Sequence, residues 1–335
     1  MRILYIGQYT AGTTSKMRAQ NINEINETGS FEVIDTNVPF YACHLLWKSM
    51  AFRFKIGKVI WETNRYILNN LSGQYDLIWV DKAVFIKKSV TQKLRAITRL
   101  LVHYTPDAAF KENASNHFFK SLPLYHYAIT TKSFEIADYL NYLNDKQLFY
   151  IPQGYNRALH YSRNSFHQKK QQVLFIGLYE VSRADIIDAL LQSQVSVVLA
   201  GKNWGSFISK HHGSPLTYLG EGLFGEDYAK AISEAQFALG LVSKRFPELH
   251  TTRTFEIPAC GTALITERNK ETSLFFKDDE VIFFENENDL ISKIKYYFVN
   301  QSELKSLTER GTKKVIESGY DYKSQFEKLF KTLVN

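Results

Sequence analysis

Glu248 and Glu256 stand with seven residues between them in the stretch PELHTTRTFEIPACGTALIT, residues 247 to 266. Thr251 and Thr252 are of the types that cap helices, so a helix is expected to start there, to end near Cys260-Gly261 and to lead into the strand TALIT. A helix start offers backbone N–H groups and the positive end of a dipole, and Arg253 in its first turn adds a full charge. Together they suit a diphosphate. Glu256, one turn further on, is a carboxylate able to accept two bonds from vicinal ribose hydroxyls, and Glu248, in the loop ahead, is placed for a second, transferred sugar. Spacing alone does not carry this reading, because a glutamate near a helix start also complements the dipole.

Such residues need a scaffold that holds loops at one edge. Apolar runs of strand length alternate with helix-length amphipathic segments along the whole chain, the pattern of parallel sheets covered by helices. ILYIGQY (3–9) and VLFIGLY (173–179) open two such series, each ending in a glycine where the chain turns, so the chain holds two Rossmann-like units. The turn-rich stretch between residues 152 and 170 marks their junction. The expected fold is α/β with two facing doubly wound domains and a crevice between them: residues 1–155, residues 156–318, and a C-terminal helix over 319–335 that crosses back to the first domain. Ligands of this architecture sit beyond the carboxyl ends of the strands.

The loops after the strands are therefore where the chemistry is sought. Gly177 ends the second opening strand and Arg183 follows at a helix start, both candidates for a bound phosphate. AGKNWG, 200 to 205, brings Lys202 and Trp204 toward a nucleotide base, with Trp204 as a packed core residue the alternative. Gly220 and Tyr228 read as a structural wall. In the first domain GQYTAGTTSKMRAQN offers Gly12 and Thr13 in a loop on the acceptor side; it is not G-x-G-x-x-G, so NAD is not expected. LLVHYTPD puts His103 and Asp107 just past a buried strand, as candidate bases for an acceptor hydroxyl or contacts to a donor sugar. A lone histidine after a strand is more often structural.

At 335 residues and 44% apolar the chain has material for two cores, which excludes a disordered or fibrous class. No apolar run reaches the ~18–20 residues of a membrane span, and MRILYIG reads as a strand rather than a signal peptide. Cys43 and Cys260 are far apart and outside any metal-ligand spacing, and no Asp-x-Asp motif precedes a sugar pocket, so neither disulfide nor metal is expected. Cytoplasmic placement fits. The net charge of +7 is concentrated in residues 43 to 100, where eleven Lys/Arg face three Asp/Glu. There CHLLWKSMAFRFKIGKVIWETNRYILNNL has the composition of a basic amphipathic surface helix. Its bland reading is a helix with a solvated basic face; its functional one is peripheral attachment to an anionic membrane or lipid-linked acceptor, with nucleic acid the weakest partner.

PELHTTRTFEIPACGTALIT resembles the donor-site signature of group 1 glycosyltransferases of the GT-B fold, and RTFEIPACGT is similar to the CgeB-type branch; the resemblance covers most of residues 172 to 330. It implies transfer of a sugar from a nucleotide-diphosphate donor, UDP rather than GDP, to a hydroxyl of a glycan, lipid-linked or protein acceptor, with retention and without metal. The nucleotide sugar is then a substrate, and no cofactor is needed. By the same resemblance Glu256 binds the ribose, Glu248 contacts the donor sugar, and Arg253 and Thr254 belong to the diphosphate-binding turn. The chain departs from the family at Leu249, His250 and the two threonines, where Phe-Gly and small or apolar residues are usual. An inverting transferase or nucleotide-sugar epimerase with His103 or Asp107 as base stays open, as does a non-catalytic nucleotide- or glycan-binding assembly protein.

Overall fold

The structure is a computed structural model that describes residues 1–334. The chain divides into two compact units, Met1–Pro152 together with the residues from Leu329 onward, and Gln153–Lys328.

The first unit runs β1 (Arg2–Gly7), α1 (Thr14–Ile25), β2 (Ser30–Asp35), α2 (Asn37–Ala42), α3 (Leu45–Phe54), α4 (Lys58–Asn69), β3 (Tyr75–Asp81), α5 (Lys88–Ala96), β4 (Thr98–Thr105), α6 (Asn116–Ser121), β5 (Tyr127–Thr130), α7 (Ile136–Leu140) and β6 (Leu148–Tyr150). Its six strands lie in the order β2-β1-β3-β4-β5-β6, and all pairs are parallel. Ile3, Leu4, Tyr5 and Ile6 are wholly buried in succession, which is why β1 reads as a continuous apolar run rather than an alternating one. The basic stretch after Cys43 forms two helices: Lys55 (φ 57°) and Gly57 (φ 97°) both take the left-handed backbone that ends α3 and begins α4.

Arg18 of α1 is fully buried and grips Asp81 at the end of β3 with two bonds, Nε to Oδ2 at 2.8 Å and Nη2 to Oδ1 at 3.0 Å. The Tyr5 hydroxyl donates to the same carboxylate at 2.8 Å, and the guanidinium lies 4.9 Å from the centre of the Tyr104 ring. Four elements thus share one desolvated ion pair. His103 lies inside β4, not beyond it, and this corrects the sequence reading: the strand runs on to Thr105. Its ring packs 4.8 Å from Phe118 and 5.4 Å from Tyr125, and burial, against the pull of Asp81, holds its pKa at about 3. A group so enclosed is a core residue, not a base for an incoming hydroxyl.

The second unit runs β7 (Lys170–Ile176), α8 (Val181–Gln192), β8 (Val197–Ala200), α9 (Gly205–Lys210), β9 (Leu216–Tyr218), α10 (Gly225–Glu234), β10 (Ala235–Leu239), α11 (Arg253–Ala259), β11 (Ala263–Glu267), α12 (Thr272–Phe275), β12 (Ile282–Phe284), α13 (Glu287–Val299), α14 (Gln301–Glu317) and α15 (Tyr322–Val334), the last continuing into the first unit from Leu329. Its sheet order is β12-β11-β10-β7-β8-β9, again all parallel. The order reverses between β7 and β10, the switch point where a nucleotide binds in doubly wound sheets. The loops after β7 and β8 are pressed together there. Gly201 has φ 148°, and a Cβ on it would fall 1.8 Å from the Gly177 carbonyl oxygen, which accepts the Trp204 indole N–H at 2.9 Å. Trp204 is wholly buried, so the packed-core alternative holds for it.

Asp81→Asn leaves the Arg18 charge uncompensated in the core and is expected to destabilise the first unit by about 3–5 kcal/mol in urea unfolding; a loss below about 1 kcal/mol would contradict the pair's role. His103 gives a pH signature. Its folded pKa lies below the usual 6.5, so the unfolded chain binds the extra proton, and stability present above pH 6.5 is lost as pH falls toward 3. The wild type should lose up to about 1.4 kcal/mol per pH unit across that window relative to His103→Phe, and parallel curves would refute this.

Candidate functional site

The chain leaves β7 at Ile176, turns at Gly177 and enters α8 through Glu180. Arg183 in the first turn of α8 is buried; its Nη1 donates to the Leu178 carbonyl and pairs with Glu180 Oε1, both at 3.0 Å. Glu180 Oε2 accepts from the Ser243 hydroxyl at 3.1 Å and the Lys244 N–H at 3.3 Å, so one carboxylate ties the loop after β7 to the loop after β10. Arg253 opens α11 and reaches back, its Nη2 donating to the Leu241 carbonyl at 3.1 Å. The guanidinium carbons of Arg183 and Arg253 lie 5.9 and 6.0 Å from the centre of the same Phe175 ring. That ring fills the space a Cβ at Gly177 would need, at 2.8 Å.

Nε of Arg183 and Nε of Arg253 are both buried without a hydrogen-bond partner. Burial pulls the Arg183 pKa below its ordinary value, Arg253 and Arg245 pull it further, and Glu180 and Glu248 oppose them. Two like charges, one buried at Arg183 and one half-buried at Arg253, each with an unmet Nε donor, form a site that gains from an anion. An open cleft of about 650 Å³ lies against this edge, lined by Tyr179, Glu180, Ser182, Asn203, Lys244 and Arg245 among others.

Glu256, in the first turn of α11, is almost fully buried. Its Oε2 accepts the Tyr228 hydroxyl of α10 at 2.6 Å, and its Oε1 lies 3.8 Å from His160 Nε2. His160 Nδ1 accepts the Asn156 N–H at 3.1 Å, so the neutral ring carries its proton on Nε2, facing Glu256. Burial, against the pull of Glu256, keeps the His160 pKa low and the ring neutral. One carboxylate oxygen is thus firmly held and the other only loosely.

The start of α11 differs from the sequence reading. Thr252 sits at the cap with helical backbone and no side-chain cap bond; the bond comes instead from Thr254, whose buried hydroxyl accepts the Thr251 N–H at 3.1 Å. The amides of Thr254, Phe255 and Glu256 are taken by the carbonyls of Thr251 and Thr252. Thr254 and these amides are therefore committed internally, and the positive charge at this edge comes from the two arginines. Lys202, in the loop after β8, has an exposed side chain, and its backbone carbonyl accepts the Tyr179 N–H at 3.0 Å. Glu248 is half-buried between β10 and α11, within electrostatic reach of Arg183. His250, one of the four residues that depart from the resembled pattern, is buried, bonds Glu271 through Nδ1 at 2.5 Å and accepts the Gln153 N–H on Nε2 at 2.9 Å.

In the first unit Gly12 has φ 80°, and Thr13 caps α1 by accepting the Lys16 N–H at 3.3 Å while donating to the Thr10 carbonyl at 2.8 Å. Asp107 Oδ2 pairs with Lys82 Nζ at 2.8 Å, and Lys82 takes left-handed backbone, φ 60°, just after β3. Burial raises the Asp107 pKa, but Lys82, Lys132 and Arg18 outweigh it and hold the group below the usual carboxylate range. Asp107 stays ionised. Sequence reasoning thus brought Gly177, Arg183, Arg253, Glu248 and Glu256 to one strand-end region, and missed Glu180, Phe175 and His160. It placed Tyr228 as a wall and missed its bond to Glu256. A glutamate before a helix, an aromatic inside a strand and a histidine in a linker carry no spacing signal, and only the fold reveals them.

Residues 183–331 match a family model described as glycosyl transferase-like. No curated protein sequence matches the chain. Among solved structures, Anabaena Alr3699/HepE in complex with UDP and glucose is similar at TM-score 0.68 and 13% identity, over 99% of this chain and 100% of that one. Sucrose-phosphate synthase from Thermosynechococcus elongatus gives TM-score 0.68 and 13% identity, over 100% and 99%. AviGT4, a glycosyltransferase involved in avilamycin A biosynthesis, gives 0.62 and 12%, over 99% and 97%. At these identities the likeness establishes the fold: two parallel six-stranded sheets with alternating helices, as in GT-B glycosyltransferases.

Proposed function

We propose that the protein is a glycosyltransferase that takes a sugar from a nucleoside-diphosphate donor, UDP rather than GDP, and moves it to a hydroxyl of a glycan, lipid-linked or protein acceptor. The observation that carries this is the pair Arg183 and Arg253 on one Phe175 ring at the switch point between β7 and β10, with Glu256 a turn away. The HepE structures, which hold UDP and UDP-glucose, support a uridine donor. RTFEIPACGT supports placing the chain near the CgeB-type branch.

As the bond from the anomeric carbon to the diphosphate oxygen breaks, its electron pair leaves on the diphosphate, and the arginines stabilise that charge without a metal. Glu256 accepts the ribose hydroxyls through Oε1, oriented by Tyr228 and His160. Glu248 contacts the transferred sugar. The acceptor binds at the strand-end loops of the first unit, with Gly12 and Thr13 shaping the loop and Asp107, fixed by Lys82, accepting from the acceptor hydroxyl. Retention of the anomer is the reading that the paired glutamates favour.

UDP and UDP-sugars should raise the melting temperature, by the equivalent of about 2.7 kcal/mol at 100 times Kd, and do so more than GDP, CDP or ADP. If no nucleoside diphosphate stabilises the protein, the reading fails. Glu256→Gln should weaken UDP about tenfold or more while leaving pyrophosphate binding unchanged, since only the ribose bonds are lost; equal losses for both would remove Glu256 from the ribose. NMR of the product decides the stereochemistry, and an inverted linkage would overturn retention.

A further inference from the structure

The α3 helix turns its apolar side outward. Only Ala51 is buried in it, whereas Leu45, Leu46, Phe52 and Phe54 are 74%, 69%, 58% and 65% exposed. Ile56 in the following turn and Trp61 on α4 are also more than half exposed, at 53% and 52%. A helix of a water-facing domain ordinarily hides such residues. Here the inner side is already closed by a small core of Cys43, Ala51, Val59 and Ile60, and of the outer residues Phe52 leans on its rim, 5.4 Å from Phe40 and 6.3 Å from Phe85 between ring centres, while still leaving more than half of itself exposed.

Charge says what they face. Residues 38 to 65 carry five Lys/Arg and one acidic residue, Glu62, which Arg65 pairs at 2.7 Å. Lys48 lies 5.5 and 5.4 Å from the Phe40 and Tyr41 ring centres, and Arg65 lies 4.7 Å from that of Trp61, so cations ride on the aromatics at the patch rim. Arg53 and Lys58 are exposed beside Phe54 and Ile56. Outward leucines and phenylalanines, rim tryptophans and a surplus of positive charge are complementary to the boundary between acyl chains and anionic headgroups. Among the described residues no helix is long and apolar enough to cross a membrane.

We propose that the α3–α4 edge docks the protein on an anionic phospholipid surface, with the outer side of α3 lying in the headgroup boundary. The proposal goes beyond the donor chemistry and is independent of it.

Flotation of the intact protein with phosphatidylcholine vesicles, with and without phosphatidylglycerol, tests it. Trp79 and Trp204 are wholly buried and Trp47 and Trp61 are exposed, so a blue shift of tryptophan emission on binding reports this edge. Binding is expected only with phosphatidylglycerol, with the blue shift, and weaker by about tenfold or more at high salt. Leu45→Ser/Leu46→Ser/Phe54→Ser and Arg53→Glu/Lys58→Glu should each weaken it about tenfold or more while keeping the wild-type melting temperature and UDP affinity. The proposal is overturned if phosphatidylglycerol vesicles are not bound, if both vesicle types bind alike, or if the triple serine variant binds as wild type does. It is equally overturned if a DNA duplex binds more tightly than the vesicles, which would mark a general polyanion surface.

Discussion

The second unit is organised around two guanidinium groups held against one buried phenyl ring. Arg183 comes from α8 and Arg253 from α11, elements that follow different strands, and Phe175 in β7 is the surface they share. Neither arginine is fully paired, and burial together with the neighbouring Arg253 lowers the readiness of Arg183 to remain charged without an anion. The arrangement is kept from flying apart by Glu180, which pairs Arg183 and also binds the Ser243 hydroxyl and the Lys244 amide. It is an internal counter-ion at the edge where a diphosphate is proposed to bind.

The loops around this pair are fixed with unusual thoroughness. Gly201 leaves no room for a side chain against Gly177, Trp204 bonds the same carbonyl, and His250 joins the loop before α11 both to Glu271 and to the backbone of Gln153. Such prior ordering reduces what ligand binding must spend on immobilising the site. The first unit repeats the logic with other residues. Asp81 anchors Arg18 and Tyr5 beneath its strand ends, and Lys82, in a backbone conformation uncommon for a residue with a side chain, holds Asp107.

Much of this was legible in the sequence, for physical reasons. Strands buried on both faces must be apolar throughout, so ILYIG and VLFIG announce the two sheets, and the glycine that closes each run marks the end of the strand. The place of Arg253 and Glu256 in the first turn of α11 was legible from the Thr-Thr pair ahead of them and the Cys-Gly turn behind. The failures have an equally local cause. His103 lies within β4, which runs two residues beyond it to Thr105 and buries it. Thr251 and Thr252 have the right chemistry for a cap, but the bond is made by Thr254, since the backbone at Thr252 is already helical. The outward face of α3 was visible as composition, but which way it faced was not.

Calorimetric titration of UDP against uridine, in the wild type and in an Arg183→Met/Arg253→Met variant, tests the central claim most directly. If the arginine pair is the diphosphate site, wild-type protein binds UDP at least about a hundredfold more tightly than uridine, and the variant brings the two affinities together. Equal affinities in the wild type, or a variant that keeps the gap, would contradict it.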